Sequence, residues 1–189
     1  MDRPIRVAVI IGSTREGRFG PTVARWFAEQ AGRRGDLDID VIDLAETGLP
    51  AVFPQDRGGV VEAYVERLGR ADAFVVVTPE YNHGYPAGLK QAIDLAKRPW
   101  EAKPVGFVSY GGMSGGLRAV EQLRQVFAEL HAVTVRDTVS FHNFPQLFGP
   151  SGQLLDPTGP DAAAKKMLDQ LAWWASALRT ARQERPYAA

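Results

Sequence analysis

The stretch Val7-Ala8-Val9-Ile10-Ile11-Gly12-Ser13-Thr14-Arg15-Glu16-Gly17-Arg18-Phe19-Gly20-Pro21 decides the fold. Val7 to Ile11 is a continuous apolar run, the pattern of a strand covered by helices on both faces. The polar, glycine-punctuated segment after it ends at Pro21, whose missing N–H costs nothing in the first turn of a helix. Val23, Trp26, Phe27 and Gln30 continue the helix until Gly32 and Gly35 stop it. The same order of strand, loop and helix recurs. Ala73 to Val77 runs into Pro79-Glu80-Tyr81-Asn82-His83-Gly84-Tyr85-Pro86, and Val105 to Val108 runs into Ser109-Tyr110-Gly111-Gly112-Met113-Ser114-Gly115-Gly116. Such alternation argues for βαβ units and a parallel sheet. Loops that follow parallel strands gather at one edge, where ligands bind, so three distant segments are expected to build one site.

The remaining segments complete the sheet. Asp38-Ile39-Asp40-Val41-Ile42-Asp43-Leu44 alternates carboxylates with apolar residues, and Val133-Thr134-Val135-Arg136-Asp137 is also mixed. Both suit edge strands, where charge discourages pairing with another molecule. Five parallel strands with the first, third and fourth in the middle predict an α/β, flavodoxin-like three-layer sandwich of order 2-1-3-4-5, with its switch point between strands one and three. Further helices are predicted from about Gly59 to Arg70, with Val60, Tyr64, Val65 and Leu68 at helical spacing, and after Pro86, with Leu89, Ile93 and Ala96 on one face. A fourth carries Leu117, Val120, Leu123, Phe127 and Leu130, and a last spans Asp161 to Ala181 with Met167, Leu171, Trp174 and Leu178 as its core stripe. The Pro/Gly-rich stretch from Phe141 to Pro160 is too long for a simple connector and is expected to cover a site or join an interface. Residues 1–182 read as one domain and 183–189 as a frayed tail.

Composition excludes several functions. Among 189 residues the 22 Lys and Arg balance the 22 Asp and Glu, so no overall field recruits nucleic acid or an anionic membrane. Cysteine is absent, which removes disulfides, thiolate nucleophiles and Cys-ligated iron-sulfur or zinc sites. His83, His131 and His142 lack the acidic spacing of a zinc site, so no metal is expected. Any redox chemistry then belongs to an organic cofactor or another metal. Met1-Asp2-Arg3-Pro4 leads into a strand without the apolar stretch of a signal peptide or membrane span, and a cytoplasmic protein is expected.

The first loop opens a helix whose unpaired N–H groups favour an anion. Arg15 and Arg18 stand there although cations near the positive end of a helix dipole are disfavoured by about 0.3 to 1 kcal/mol each. A bound anion removes the conflict. The hydroxyls of Ser13 and Thr14, Arg15 and the backbone through Phe19 and Gly20 suit one phosphate; neither G-x-G-x-x-G nor G-x-x-x-x-G-K-[ST] is present to hold a pyrophosphate or triphosphate. The alternative is a polar turn with two solvated arginines. In the second loop Tyr81 and Tyr85 offer rings, Asn82 offers donor and acceptor groups, and Pro79 and Pro86 stiffen the turn, which suits a flat aromatic ligand. The alternative is a turn that Asn82 caps while Tyr85 packs inward. His83 is a candidate to face a substrate, or an ordinary surface histidine. In the third loop the glycines at 111, 112, 115 and 116 let backbone N–H groups approach a ligand directly. Gly112-Met113-Ser114-Gly115-Gly116 also matches the G-x-S-x-G nucleophile elbow of hydrolases. Asp137 followed by His142 is a pair in the required order after Ser114, but the two lie close together on one edge segment, and no HGGG-like oxyanion loop precedes them, which disfavours that reading.

Taken together, the three loops resemble the NADPH-dependent FMN reductase family of flavodoxin-like proteins, which includes quinone and chromate reductases. The likeness covers Val7 to about Leu130, and its most specific phrase is Pro79-Glu80-Tyr81-Asn82 running on to Gly88-Leu89-Lys90-Gln91-Ala92-Ile93-Asp94. The resemblance implies that Gly12 to Gly20 hold the FMN phosphate, that Pro79, Glu80, Tyr81 and Asn82 line the isoalloxazine, and that Ser109, Tyr110, Gly111 and Gly112, with Gly115 nearby, meet its far edge. One common form of the first loop has Ser and Asn where Arg18 and Gly20 stand here. The implied reaction passes hydride from NADPH or NADH through FMN to a quinone, flavin or similar small acceptor, in ping-pong order and with no catalytic side chain required. A flavodoxin-like electron carrier is the alternative. Members of the family associate as homodimers or homotetramers, and Trp100 and the segment from Phe141 to Pro150 are expected either at such an interface or packed within one chain.

Overall fold

The computed structural model describes residues 3–56 and 58–188; Met1, Asp2 and Ala189 of the expected tail lie outside them. The strands are β1 (Ile5–Ile11), β2 (Leu37–Asp43), β3 (Ala73–Pro79), β4 (Pro104–Tyr110), β5 (Val133–Thr134) and β6 (Val139–Phe141). The helices are α1 (Gly20–Gly32), α2 (Val60–Gly69), α3 (Ala87–Asp94), α4 (Leu117–Glu129) and α5 (Thr158–Glu184). All strand pairs are parallel, in the order β2-β1-β3-β4-β5, with β6 also on β4. Val75 lies opposite Val9 on one side and Gly106 on the other, which fixes the register at the centre of the sheet.

Two cores follow from the period-two alternation of side chains along a strand. Val7, Val9 and Ile11 face α1 and α5 and pack with Val23, Phe27, Met167 and Leu171. Ala8 and Ile10 face the opposite side and pack with Tyr64, Leu68, Leu89, Ile93, Leu123 and Phe127. Burial on both faces is why β1, β3 and β4 read as unbroken apolar runs, and each large side chain so buried contributes about 1.5 to 3 kcal/mol.

Four details refine or change what the sequence leads one to expect. The fifth strand is split into β5 and β6. Between them Arg124 donates to the carbonyls of Val135 and Arg136 (2.7 and 2.9 Å), and the Asp137 N–H donates to Gln170 (3.2 Å), so side chains of α4 and α5 take up backbone groups that a continuous ladder would use. Of the two places open to Trp100, the structure gives packing within the chain: it is fully buried, its ring 4.5 Å from Phe74 and 5.4 Å from Phe127, and its indole N–H donates to the carbonyl of Ala96 at 2.6 Å. The stretch after Phe141 carries structure of its own. Phe141 is buried in β6, Phe144 stacks 4.8 Å from Phe19, and Phe148 pairs with Leu154 in a small antiparallel bridge. Helix α5 begins at Thr158 and ends at Glu184, with Ala175 rather than the exposed Trp174 continuing its buried stripe, and Tyr187 beyond it bonds His131 Nδ1 at 2.9 Å.

Candidate active site

The sheet brings the ends of β1, β3 and β4 to one edge, and the three loops stand side by side there. Helix α1 starts at Gly20 with no side-chain cap and no acidic residue in its first turn. The N–H groups of Ser13, Thr14 and Arg15 find no acceptor among the described residues. Ser13 is fully buried, yet its hydroxyl has no hydrogen-bond partner, and the same holds for the hydroxyl of Tyr110. Both oxygens converge over Gly20: a methyl group there would collide with Ser13 Oγ and stand 3.1 Å from Tyr110 Oη, so only glycine keeps the space open. Burial pushes the Tyr110 phenol up to about 12, against a smaller downward pull from Ser13, and at neutral pH it remains a donor. Two buried hydroxyls beside amides without acceptors fit a phosphate.

The arginines of this loop divide. Arg15 lies over the Tyr81 ring, 4.8 Å from its centroid, and ties the first loop to the second. Arg18 instead pairs with both oxygens of Asp43 (2.9 and 2.8 Å) at the end of β2, with both side chains largely buried. Its charge is thereby neutralised within the chain. The Phe19 ring packs against Phe144 and edge-on to Phe148.

In the second loop Tyr81 and Gly84 bond each other through both backbone pairs (2.8 and 3.0 Å), which leaves Asn82 and His83 as the two central residues of a tight turn. Both have positive φ, 49° and 71°, as the primed hairpin turns demand. Asparagine tolerates this; histidine does so at a cost of about 1 kcal/mol. The strain is held by α4. Arg118 lies 2.8 Å from His83 Nε2 and pairs with the buried carboxylate of Glu80, and Gln122 donates to the His83 carbonyl at 3.0 Å. Burial pushes the Glu80 carboxyl up, but hydrogen bonds from Ser114 and Arg118 outweigh it and leave it below its ordinary value.

The third loop is braced against β6. The Gly111 N–H donates to Phe141 O at 3.1 Å and the Gly115 N–H to Gly112 O at 3.2 Å, so neither is free to meet a ligand; the Gly112 N–H has no acceptor among the described residues. Ser109 is buried and donates to Gly115 O at 2.8 Å, and the Tyr110 hydroxyl reaches the first loop at Gly20. Gly116, at φ 87°, has no room for a side chain, since a Cβ would lie 2.7 Å from that of Ser109. No serine-histidine pair forms at Ser114. His142 bonds the Met113 carbonyl at 2.9 Å and lies 3.3 Å from Ser140, while Ser114 turns to Glu80, and the hydrolase reading falls.

Two site residues escaped the sequence reading. In the sequence Asp43 reads only as an edge-strand carboxylate. Arg118 carries the signal that singled out Arg15 and Arg18, a cation in the first turn of a helix.

The sequence profile of the family described as NADPH-dependent FMN reductase matches residues 5–146. An NAD(P)H-dependent FMN reductase of Schizosaccharomyces pombe is 39% identical over 133 residues, a match spanning 64% of this chain and 64% of its own length. A quinone reductase of Escherichia coli is 33% identical over 181 residues, 90% of this chain and 92% of that protein. Among solved structures, the flavoenzyme NAD(P)H:(acceptor) oxidoreductase FerB of Paracoccus denitrificans superposes with a TM-score of 0.74 at 22% identity, over 91% of this chain and 97% of that one. Likeness at that identity speaks for the shared flavodoxin-like fold. The profile over residues 5–146 and the E. coli relative together establish the family: this chain belongs to the NADPH-dependent FMN reductases and is an oxidoreductase.

Proposed function

We propose that the protein is an FMN-dependent NAD(P)H oxidoreductase that delivers electrons to a quinone, a flavin or a similar small acceptor. The observation that carries this reading is the donor cluster of the buried Ser13 and Tyr110 hydroxyls and the first-loop amides, which has no acceptor among the described residues and stands beside a rigid aromatic turn. Bound there, FMN supplies the two-electron relay between a nicotinamide and the acceptor. The chain's own residues bind and orient. The first loop anchors the phosphate, Arg15 adds charge while holding Tyr81, and Pro79 to Asn82 form the wall for the flat ring. The Glu80–Arg118 pair and the tie to His83 keep that wall in place, and the free Gly112 amide supplies one donor at the opposite edge. None of these side chains is required to transfer a proton, and the expected order of events is ping-pong, the nicotinamide and the acceptor using the flavin in turn.

Other parts of the reading rest on broader support. Among the described residues no helix is long and apolar enough to cross a membrane, which accords with action in the cytoplasm. Exposed apolar residues such as Val52 (80%) and Trp173 (65%) accord with a homodimer or homotetramer. The deciding experiment mixes FMN-loaded protein anaerobically with NADPH, and separately with NADH, in a stopped-flow spectrophotometer. Rapid bleaching of the flavin band with either is expected; a band that persists with both leaves an electron carrier and refutes the reductase.

A further inference from the structure

We propose that the Tyr110 hydroxyl is a direct ligand of the cofactor's terminal phosphate, acting with Ser13 from beneath the start of α1, in the role that Arg18 was expected to share. The proposal rests on the FMN reading above and adds to it a residue, a direction of approach and a thermodynamic signature.

The placement follows from strand geometry. Tyr110 ends β4, and alternation along the strand turns Val108 and Tyr110 toward α1 and α5 while Ser109 faces the third loop. The ring is fixed edge-on by Phe144 at 5.2 Å and by Phe19 at 6.4 Å, so the hydroxyl has one direction available. That direction leads to the space over Gly20, where Ser13 Oγ also ends. Tyr110 is 3% exposed and Ser13 is fully buried. The two hydroxyls stand close enough for Ser13 to pull the Tyr110 phenol down, yet neither forms a well-aligned hydrogen bond with the other or with any other group among the described residues. Buried polar groups in folded proteins are seldom left in this state. Two at one point, beneath an uncapped helix start and beside amides without acceptors, call for a ligand made of acceptor oxygens. Arg18 is committed to Asp43 and leaves that role to neutral donors.

The consequence is a pair of opposite effects from one atom. Without the ligand, the hydroxyl is a buried donor with nothing to bond and weakens the fold. With the ligand, it makes a charge-assisted hydrogen bond. Tyr110→Phe deletes that oxygen and keeps the ring, so the empty protein becomes more resistant to urea while the filled one loses its grip on phosphate. Tyr64 is the internal control. It is likewise buried with an unpartnered hydroxyl, but it lies on α2 in the opposite core.

The experiment titrates the apoproteins of wild type, Tyr110→Phe and Tyr64→Phe with FMN and with riboflavin, following quenching of flavin fluorescence, and measures urea unfolding of each apoprotein. A hydrogen bond to a charged group predicts that Tyr110→Phe weakens FMN about 10- to 100-fold. Riboflavin, which lacks the phosphate, keeps its affinity within about twofold, and the apoprotein's urea midpoint rises. Tyr64→Phe raises the midpoint and leaves both affinities alone. Equal losses for FMN and riboflavin in Tyr110→Phe, or no loss for either, overturn the proposal and leave the flavin reading standing. A wild type that binds neither flavin overturns both. A second measurement needs no variant: with ring-labelled tyrosine, inorganic phosphate shifts one buried tyrosine resonance in the wild-type apoprotein and riboflavin does not. Absence of that shift at saturating phosphate also overturns the proposal.

Discussion

Lys103 lies at the opposite end of the sheet from the site and offers a direct test of the electrostatics of the fold. It is 7% exposed, its ammonium donates to the carbonyl of Gly69 at 3.1 Å at the end of α2, and it lies 5.5 Å from the Phe74 ring centroid. Burial, and then the nearby Arg182, lower its pKa from 10.5 to about 8 against the pull of Asp72. Asp72 gives little relief because it already binds Arg3 at 2.8 Å and the Arg6 N–H at 3.0 Å. A fall from 10.5 to about 8 corresponds, at about 1.36 kcal/mol per unit, to about 3 kcal/mol. The sign follows from proton linkage. Between the two values the unfolded chain holds a proton that the folded chain has lost, so folding stability rises with pH in that window, while below it the full cost of the buried charge is present. Replacing Lys103 by Met removes the charge and forfeits bonds to the carbonyls of α2, each with a net value of about 1 kcal/mol. The Met variant is therefore expected to equal or exceed wild type in stability at pH 7 and to fall below it near pH 10. Urea unfolding of both proteins at intervals across that range measures the difference, and tyrosines and other lysines cancel because both chains share them. A difference in stability that stays flat from pH 7 to pH 10 would falsify the assignment of a depressed lysine.

Two further substitutions probe the site. Arg118→Ala removes the partner of both Glu80 and His83. Because Arg118 is itself partly exposed, the loss of stability is expected at about 1 to 2 kcal/mol, and flavin affinity falls with it. The Glu80 carboxyl is held below its ordinary value, so the pair stabilises above that value and is lost as pH falls through the lowered one; acid titration of the variant should show a smaller loss of stability over that interval than wild type. Gly20→Ala sets a methyl group against Ser13 Oγ, 2.8 Å from Ile11 Cγ2 and 3.1 Å from Tyr110 Oη. Overpacking of this kind costs about 1 to 3 kcal/mol. FMN binding, read by calorimetry, is expected to be lost while the sheet's circular dichroism is kept, and retention of wild-type affinity would show that the space over Gly20 is not used.

Most of the fold is legible in the sequence because burial on both faces writes β1, β3 and β4 as unbroken apolar runs, and because Pro21 and Pro86 mark where helices begin. The split of the fifth strand is not legible. It depends on Arg124 and Gln170, residues of α4 and α5 that meet 135–137 only in the folded chain. Within the site, residue types and loop positions predict an anion at 12–20 and a rigid aromatic turn at 79–85. Which atoms remain free cannot be read that way. Gly111 and Gly112 look equivalent as letters, yet Phe141 O takes one amide and leaves the other. Arg15 and Arg18 look equivalent too, until Asp43, brought from β2, claims one of them. Trp100 invites an interface reading because tryptophan favours surfaces between subunits, but the two carbonyls at the end of α3 give its N–H an internal home.

The bracing of the third loop bears on how a cofactor enters and leaves. Gly111 and Gly112 are stitched to the chain from Phe141 to Phe144 by backbone bonds of 3.1, 3.2 and 2.8 Å, and Ser140 adds a hydroxyl bond to Gly115 O at 2.9 Å. To swing this wall aside, β6 would have to peel from β4. The first loop has no such stitching, since its amides await a ligand. Exchange therefore passes through the softer wall, and the occupant itself supplies the bonds that close it. Arg18 and Phe19 pin the far end of that loop, so a cofactor held in this way is expected to depart at a rate set by the unfastening of 13–15, and amide hydrogen exchange there, faster in the empty protein, becomes the clock of its residence.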